Sequence, residues 1–280
     1  MTTWAQLQRK IEVSLYPIMN ILNSRTESYQ WLSDAWNQEP NDSEVPNEVL
    51  NDVDQYIARR LNGEPWPYII GFSWFMGYKF IAHQDATIPR ENTQRIIDQA
   101  LQMFDPDKPI RVADVGTGSG IMAITLALQT KWKITAVDTS AQALKIAEKN
   151  CNFHKVDDIE LMVGNILTPL VRIPDLVVAN LPSIDETIKT KLDASSLKDL
   201  SIEDSYTRME PSIGVYAPEN GNFWIKALLK QSYEWNIPVV IQQINNNKLE
   251  LLEYAQSLGW HTGWITNELN NPVLITLRKG

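Results

Sequence analysis

From about residue 93 onward, short apolar runs bounded by turn residues alternate with longer amphipathic stretches. This pattern constrains the fold more than any other feature of the chain. Candidate strands are Arg111–Val115, Lys133–Val137, Ile159–Val163, Leu176–Ala179, Val239–Gln242 and Val273–Leu277, with helices between them such as Ala141–Asn150. Strand–helix alternation implies an α/β fold with a parallel, doubly wound sheet. Ahead of it the character differs. Residues 1–62 contain no glycine, and Leu7, Ile11, Leu15, Ile18 and Leu22 recur at three- and four-residue spacing. This predicts a small all-α domain with a polar loop at "NQEPNDSEVPNE". Between the two lie residues 63–90, where Gly and Pro punctuate aromatic-rich runs; Ile69-Ile70 and Lys79-Phe80-Ile81 flank turns as strands and predict a β-hairpin linker. The domain at 91–280 completes the chain.

Composition narrows the chemistry. One cysteine, Cys151, permits neither an internal disulfide nor a cysteine cage and suggests a cytoplasmic protein. His83, His154 and His261 are scattered, so no metal site is expected. The N-terminus carries charges and has the pattern of neither a signal peptide nor a membrane span. A net charge of −9 makes a nucleic-acid backbone a poor partner, though it also serves plain solubility.

The first strand of the alternating region runs into "VADVGTGSGIMAITLAL". Asp114, Gly116, Thr117, Gly118 and Gly120 form a D-x-G-x-G-x-G turn between strand and helix. Glycine permits the tight turn and a close approach of backbone to ligand. The spacing differs from the G-x-G-x-x-G of dinucleotide sites. A carboxylate at Asp114 repels a pyrophosphate and suits a cation. S-adenosylmethionine, with an ammonium and a sulfonium and no phosphate, fits this loop. Asp138 ends the second strand about 20 residues on, where an acid accepts from ribose hydroxyls. Thr139 or Ser140 is then free to cap the next helix. After the third strand, Asn165 and Ile166 stand where an adenine edge and face would be met. The fourth strand ends in "NLPS": Asn180, Leu181, Pro182, Ser183.

The order of these motifs resembles a class I S-adenosylmethionine-dependent methyltransferase, with a Rossmann-like seven-stranded sheet. More narrowly, the chain resembles the HemK family, the protein-(glutamine-N5) methyltransferases that modify peptide release factors. "GEPWPYIIGFSWFMGYKF", "IPRENTQ" and "EPSIGVYAPENGNFWIKALL" resemble that family's linker, its I-P-R-P-E-T-E and its E-P-R segment. The resemblance implies S-adenosyl-L-methionine as cofactor, with S-adenosyl-L-homocysteine as product, and a release factor as protein partner docked by the helical domain. It implies cofactor contacts from Asp114 to Gly120 and from Asp138, Thr139, Asn165, Ile166 and Asn180. Asn180, Leu181 and Pro182 occupy the catalytic N-P-P-Y positions, and Arg90, Thr93, Ser183 and Glu210 the substrate side.

Departures cluster on that side. Ser183 stands in place of the stacking Tyr, Ser212 in place of Arg, and Glu91, Asn92 and Gln94 replace P, E and E. Two other readings stay open. "VVANLP" resembles adenine-N6 methyltransferases, which act on a nucleic-acid base, and the departures also fit a cofactor-binding protein without transfer. The tryptophans read mostly as packing, with Trp74 or Phe75 able to close over a substrate from the linker.

Overall fold

A computed structural model describes residues 1–242, 248–265 and 273–277. In chain order the helices and strands are α1 (Trp4–Leu15), α2 (Ile21–Trp36), α3 (Asn47–Leu61), α4 (Trp66–Ile70), β1 (Phe72–Phe75), β2 (Tyr78–Ile81), α5 (Gln94–Met103), β3 (Arg111–Val115), α6 (Ile121–Gln129), β4 (Lys133–Asp138), α7 (Ala141–His154), β5 (Glu160–Val163) and β6 (Leu176–Ala179). There follow β7 (Ile184–Asp185), α8 (Glu186–Ala194), α9 (Ile202–Thr207), α10 (Ser212–Val215), β8 (Tyr216–Ala217), α11 (Phe223–Trp235), β9 (Val239–Gln242), α12 (Lys248–Ser257), β10 (His261–Ile265) and β11 (Val273–Leu277).

The chain divides into two compact units: Met1–Gly71 with Thr187–Met209, and Phe72–Glu186 with Glu210–Gly280. The segment 187–209, expected within the C-terminal domain, therefore clusters with the helical one.

In the helical unit, a capping box at Thr3 and Gln6 starts α1, and Leu7, Ile11 and Leu15 form its buried stripe. Trp31 stacks on Trp66 with ring centroids 4.1 Å apart. Beside them Glu27, buried completely, accepts from Arg60 at 2.6 and 3.2 Å and from Trp31 Nε1 at 3.2 Å. Arg60 also donates to Ser205 Oγ at 3.0 Å and lies over the Tyr206 ring. Through these contacts the 187–209 segment is fastened to α2 and α3. The expected hairpin linker begins with helix instead: Ile69 and Ile70, read as strand, close α4. Pro67 in its first turn and Gly71 at its left-handed C-cap (φ 78°) are the reason. The hairpin proper is β1–β2, and it belongs to the second unit.

The second unit is built on a seven-stranded sheet in the order β10-β11-β9-β6-β3-β4-β5. β9, β6, β3, β4 and β5 run parallel, and β11 and β10 add antiparallel. Alternation along β3 sends Val112 to one core and Ala113 and Val115 to another, so both faces of the sheet are covered. After β3 the chain builds β4 and β5 to one side. It then returns to place β6 on the other side. The strand order reverses between β3 and β6, where carboxyl ends part and ligands bind in such sheets.

Candidate active site

At this switch point a cavity of about 250 Å³ opens. Its floor is the glycine turn after β3. Gly116, Gly118 and Gly120 have φ of 74°, 56° and 84°. A Cβ on Gly116 would stand 2.8 Å from Leu181 Cδ2. The turn and the "NLPS" segment thus touch through the absence of a side chain.

Asp138 lines the cavity from the tip of β4. Its Oδ2 accepts from Gly118 N and its Oδ1 from Ser140 N, each at 2.8 Å. With a further backbone bond from Thr139, the carboxylate still keeps acceptor capacity for a ligand hydroxyl. Ser140, not Thr139, caps α7 by accepting from Ala143 N. Burial is the largest influence on the Asp138 carboxyl and raises its pKa. On the far wall, Asn165 and Ile166 line the cavity. Ile166 holds φ at 52°, a conformation costly for a β-branched residue, which aims this turn at the cavity.

Asn180 follows β6, and its Nδ2 donates to Thr93 Oγ1 at 2.9 Å. That bond orients the amide and leaves Oδ1 free to accept, and Asn180 lines the cavity beside Leu181 and Pro182. Thr93, itself buried, positions Asn180 and does not line the cavity.

Several residues expected at the ligand stand behind it. Asp114 is fully buried and absent from the lining. Its Oδ2 accepts from Thr117 Oγ1 at 2.7 Å and Ala123 N at 3.0 Å, while Oδ1 is buried without a partner. Thr117 and Gly120 likewise brace the turn from behind. Glu210 and Arg90 form an ion pair off the lining. The carboxylate accepts from Ile88 N at 2.6 Å and from the Arg90 guanidinium at 2.5 and 3.2 Å. Ser183 is 2% exposed and takes no part in the lining.

Sequence reasoning missed Asp85, Ala86 and Thr87, which follow the hairpin; Pro211, Ile213 and Gly214 stand around α10. Both groups line the cavity. The Glu210 clamp on Ile88 and Arg90 binds the two together. A Cβ on Gly214 would come within 2.8 Å of Thr87 Cγ2. The signal was present as "IPR" and "EPS", but nothing in the sequence paired them. Trp224, read as packing, is the only aromatic among the described lining residues. Trp74 is 52% exposed and, like Phe75, lies off the cavity.

The donor set decides the ligand class. Asp85 and Asp138 line the cavity, and no Lys or Arg does among the described residues. A phosphate finds no counter-charge, whereas a cationic nucleoside finds carboxylates and a tight backbone turn. These residues therefore fit S-adenosylmethionine. No group of three or more His, Cys, Asp or Glu that could hold a metal occurs among the described residues.

The Asp114 carboxyl carries a testable charge. Burial raises its pKa to about 7, with Asp138 adding to the rise against the Thr117 and Ala123 hydrogen bonds. An unfolded chain releases that proton near pH ~4. Between these values the folded state binds more protons, so this group's contribution to stability falls as pH rises from about 4 to about 7. Asp114→Asn is expected to remove that slope. Denaturant midpoints of both proteins at the two ends of the window check it: the wild type should lose more stability than the variant as pH rises.

The chain is similar to known methyltransferases. Residues 91–189 match the sequence profile of ribosomal protein L11 methyltransferase (PrmA). The release factor glutamine methyltransferase of Staphylococcus aureus is 30% identical over 218 residues, covering 75% of this chain and 73% of the relative. Those of Enterococcus faecalis (31% identical, 68% of this chain) and Koribacter versatilis (35%, 65% of this chain) are matched over 65% and 62% of their own length. The chain thus spans just under two thirds of these last two relatives. Among solved structures, the hMettl16 catalytic domain in complex with a MAT2A 3′UTR hairpin shares the fold, with a TM-score of 0.59 at 13% identity over 90% of this chain and 89% of that one.

Proposed function

Because this chain belongs to the release factor glutamine methyltransferase family, we propose that it transfers a methyl group from S-adenosylmethionine to the side-chain amide nitrogen of a glutamine in a peptide release factor. The observation that carries this reading is Asn180: it lines the cavity, one N–H of its amide donates to Thr93, and its oxygen is left to accept.

When bound, S-adenosylmethionine supplies a methyl group on a positively charged sulfur. The chain's residues do the rest. Asp138 would accept from the cofactor's ribose hydroxyls, Thr139 and Ile166 would lie against its adenine, and Asn165 would accept from the exocyclic amine. The glycine turn lets backbone approach, and Asp114 braces it. An amide nitrogen is a weak nucleophile because its lone pair is delocalised into the carbonyl, so orientation must supply much of the rate. The Asn180 oxygen and the Leu181 carbonyl hold the two N–H groups of the acceptor, and Pro182 fixes the turn that carries them. Arg90 and Glu210 act through the walls they clamp together.

We assign docking of the release factor to the helical unit, where Ile21, Leu22 and Tyr29 are exposed along α2. Such a substrate implies work in the cytoplasm, and no described helix is long and apolar enough to cross a membrane. The nucleic-acid reading gains nothing from this site, whose described lining lacks any basic residue.

Two measurements test the proposal. Methyl-labelled S-adenosylmethionine, incubated with the purified chain and a release factor, should leave label on the release factor; absence of label counts against it. Asp138→Ala removes the ribose acceptor and unties Gly118. It should weaken S-adenosylhomocysteine binding by about 1–3 kcal/mol. An unchanged calorimetric affinity in a folded variant removes Asp138 from the cofactor site.

A further inference from the structure

Helix α7 does more than start at the cavity. Its first residues, with Ser140 and Ala143, form part of the lining. Three turns on, Asn150 is fully buried. Its Oδ1 accepts from Ile81 N at 2.7 Å, and its Nδ2 donates to Ile81 O at 3.3 Å and to Ser119 O at 2.9 Å. One side chain therefore holds both backbone groups of a hairpin residue and a carbonyl of the glycine turn. His154, one turn further, meets Lys79 O through Nε2 at 2.8 Å. The match is geometric. Residues four apart on a helix rise about 6 Å, and residues two apart on a strand about 6.6 Å. Asn150 and His154 thus meet Ile81 and Lys79 in register. Ala147, on the same face, packs so near Gly120 that a Cβ there would lie 3.1 Å away.

Both segments that Asn150 holds continue into cavity wall. The hairpin leads within four residues to Asp85, Ala86 and Thr87, and Ser119 sits between Gly118 and Gly120. We propose that Asn150 is a positioning residue that locks the hairpin-borne wall to the glycine turn, so that the cofactor meets both at a fixed separation. This rests on the cofactor reading above and goes beyond it, since Asn150 touches no ligand position. Ligand binding and the order of the hairpin are then linked, although β2 itself is not part of the lining.

The test is Asn150→Asp, which keeps the acceptor for Ile81 N and loses both donated bonds. Calorimetry with S-adenosylhomocysteine should show affinity weakened by about tenfold or more at a stoichiometry near that of wild type, since a buried partner is left unpaired. A residue that only supports folding gives the opposite split, a lower stoichiometry with unchanged affinity, and that result overturns the proposal. So does unchanged affinity at full stoichiometry. If the variant does not fold, hydrogen exchange on wild type decides. On adding S-adenosylhomocysteine the Ile81 amide should gain protection together with the glycine turn. Protection of the turn alone refutes the linkage. A wild type that binds no S-adenosylhomocysteine removes the cofactor reading and this one with it. A wild type that binds beside an unaffected variant removes this one only.

Discussion

Asn180→Ala is expected to slow methyl transfer by about 100-fold or more while S-adenosylhomocysteine affinity stays close to that of wild type. In the proposed reaction Asn180 Oδ1 accepts from an N–H of the acceptor amide. Loss of that bond leaves the amide free to turn out of line at the transition state. The Thr93 hydroxyl sets which amide atom faces the cavity, through the 2.9 Å bond from Nδ2. Thr93→Val should therefore act in the same direction and less strongly, lowering kcat more than it raises the cofactor KM. Steady-state kinetics with varied cofactor, beside calorimetry on each variant, separates the two quantities. If Asn180→Ala weakens cofactor binding as much as it slows transfer, Asn180 holds cofactor and not acceptor.

Glu27→Gln should cost the helical unit about 3–5 kcal/mol of unfolding free energy, because it leaves a buried guanidinium without its counter-charge. Arg60 is 1% exposed, and its Nη1 already has no hydrogen-bond partner. The pair with Glu27 is the arrangement that lets Arg60 remain buried and reach Ser205. The double variant Glu27→Gln with Arg60→Met should recover much of the loss, since an apolar side chain needs no partner. Denaturant unfolding of wild type, single and double variants checks the order. A single variant as stable as wild type contradicts this account of how the 187–209 segment is held.

How much of this was legible beforehand depended on the range of the determining contact. The parallel strands were readable because each is a short apolar run set off by turns; Leu176–Ala179 and Val239–Gln242 have the expected limits. The glycine turn and Asp138 were readable because a local spacing specifies them. The short β7 and β8 and the edge strand β10 were not anticipated. Isolated apolar residues become strand there only once a neighbour supplies hydrogen bonds. Ile69 and Ile70 suggested strand by β-propensity, but Pro67 and Gly71 bracket a helical turn. The largest omissions were non-local. Glu210 reaches Arg90 across 120 positions, and Arg60 reaches Ser205 across 145. No periodicity encodes either pair. The first brings Thr87 and Gly214 to one cavity, and the second assigns a C-terminal segment to the N-terminal unit. Asp114 was expected at the ligand; it lies in β3 just before the turn, and its carboxylate reaches into the turn as a brace.

The central claim is that this cavity places a methyl group on an amide nitrogen of a glutamine side chain. Tandem mass spectrometry of a release factor, after incubation with the wild-type chain and S-adenosylmethionine, tests it most directly. The account predicts one added methyl group, located on the side chain of a single glutamine, and none when Asn180→Ala replaces wild type for the same short incubation. A methyl group on another residue type, or an unmodified release factor beside a chain that binds the cofactor, would contradict it.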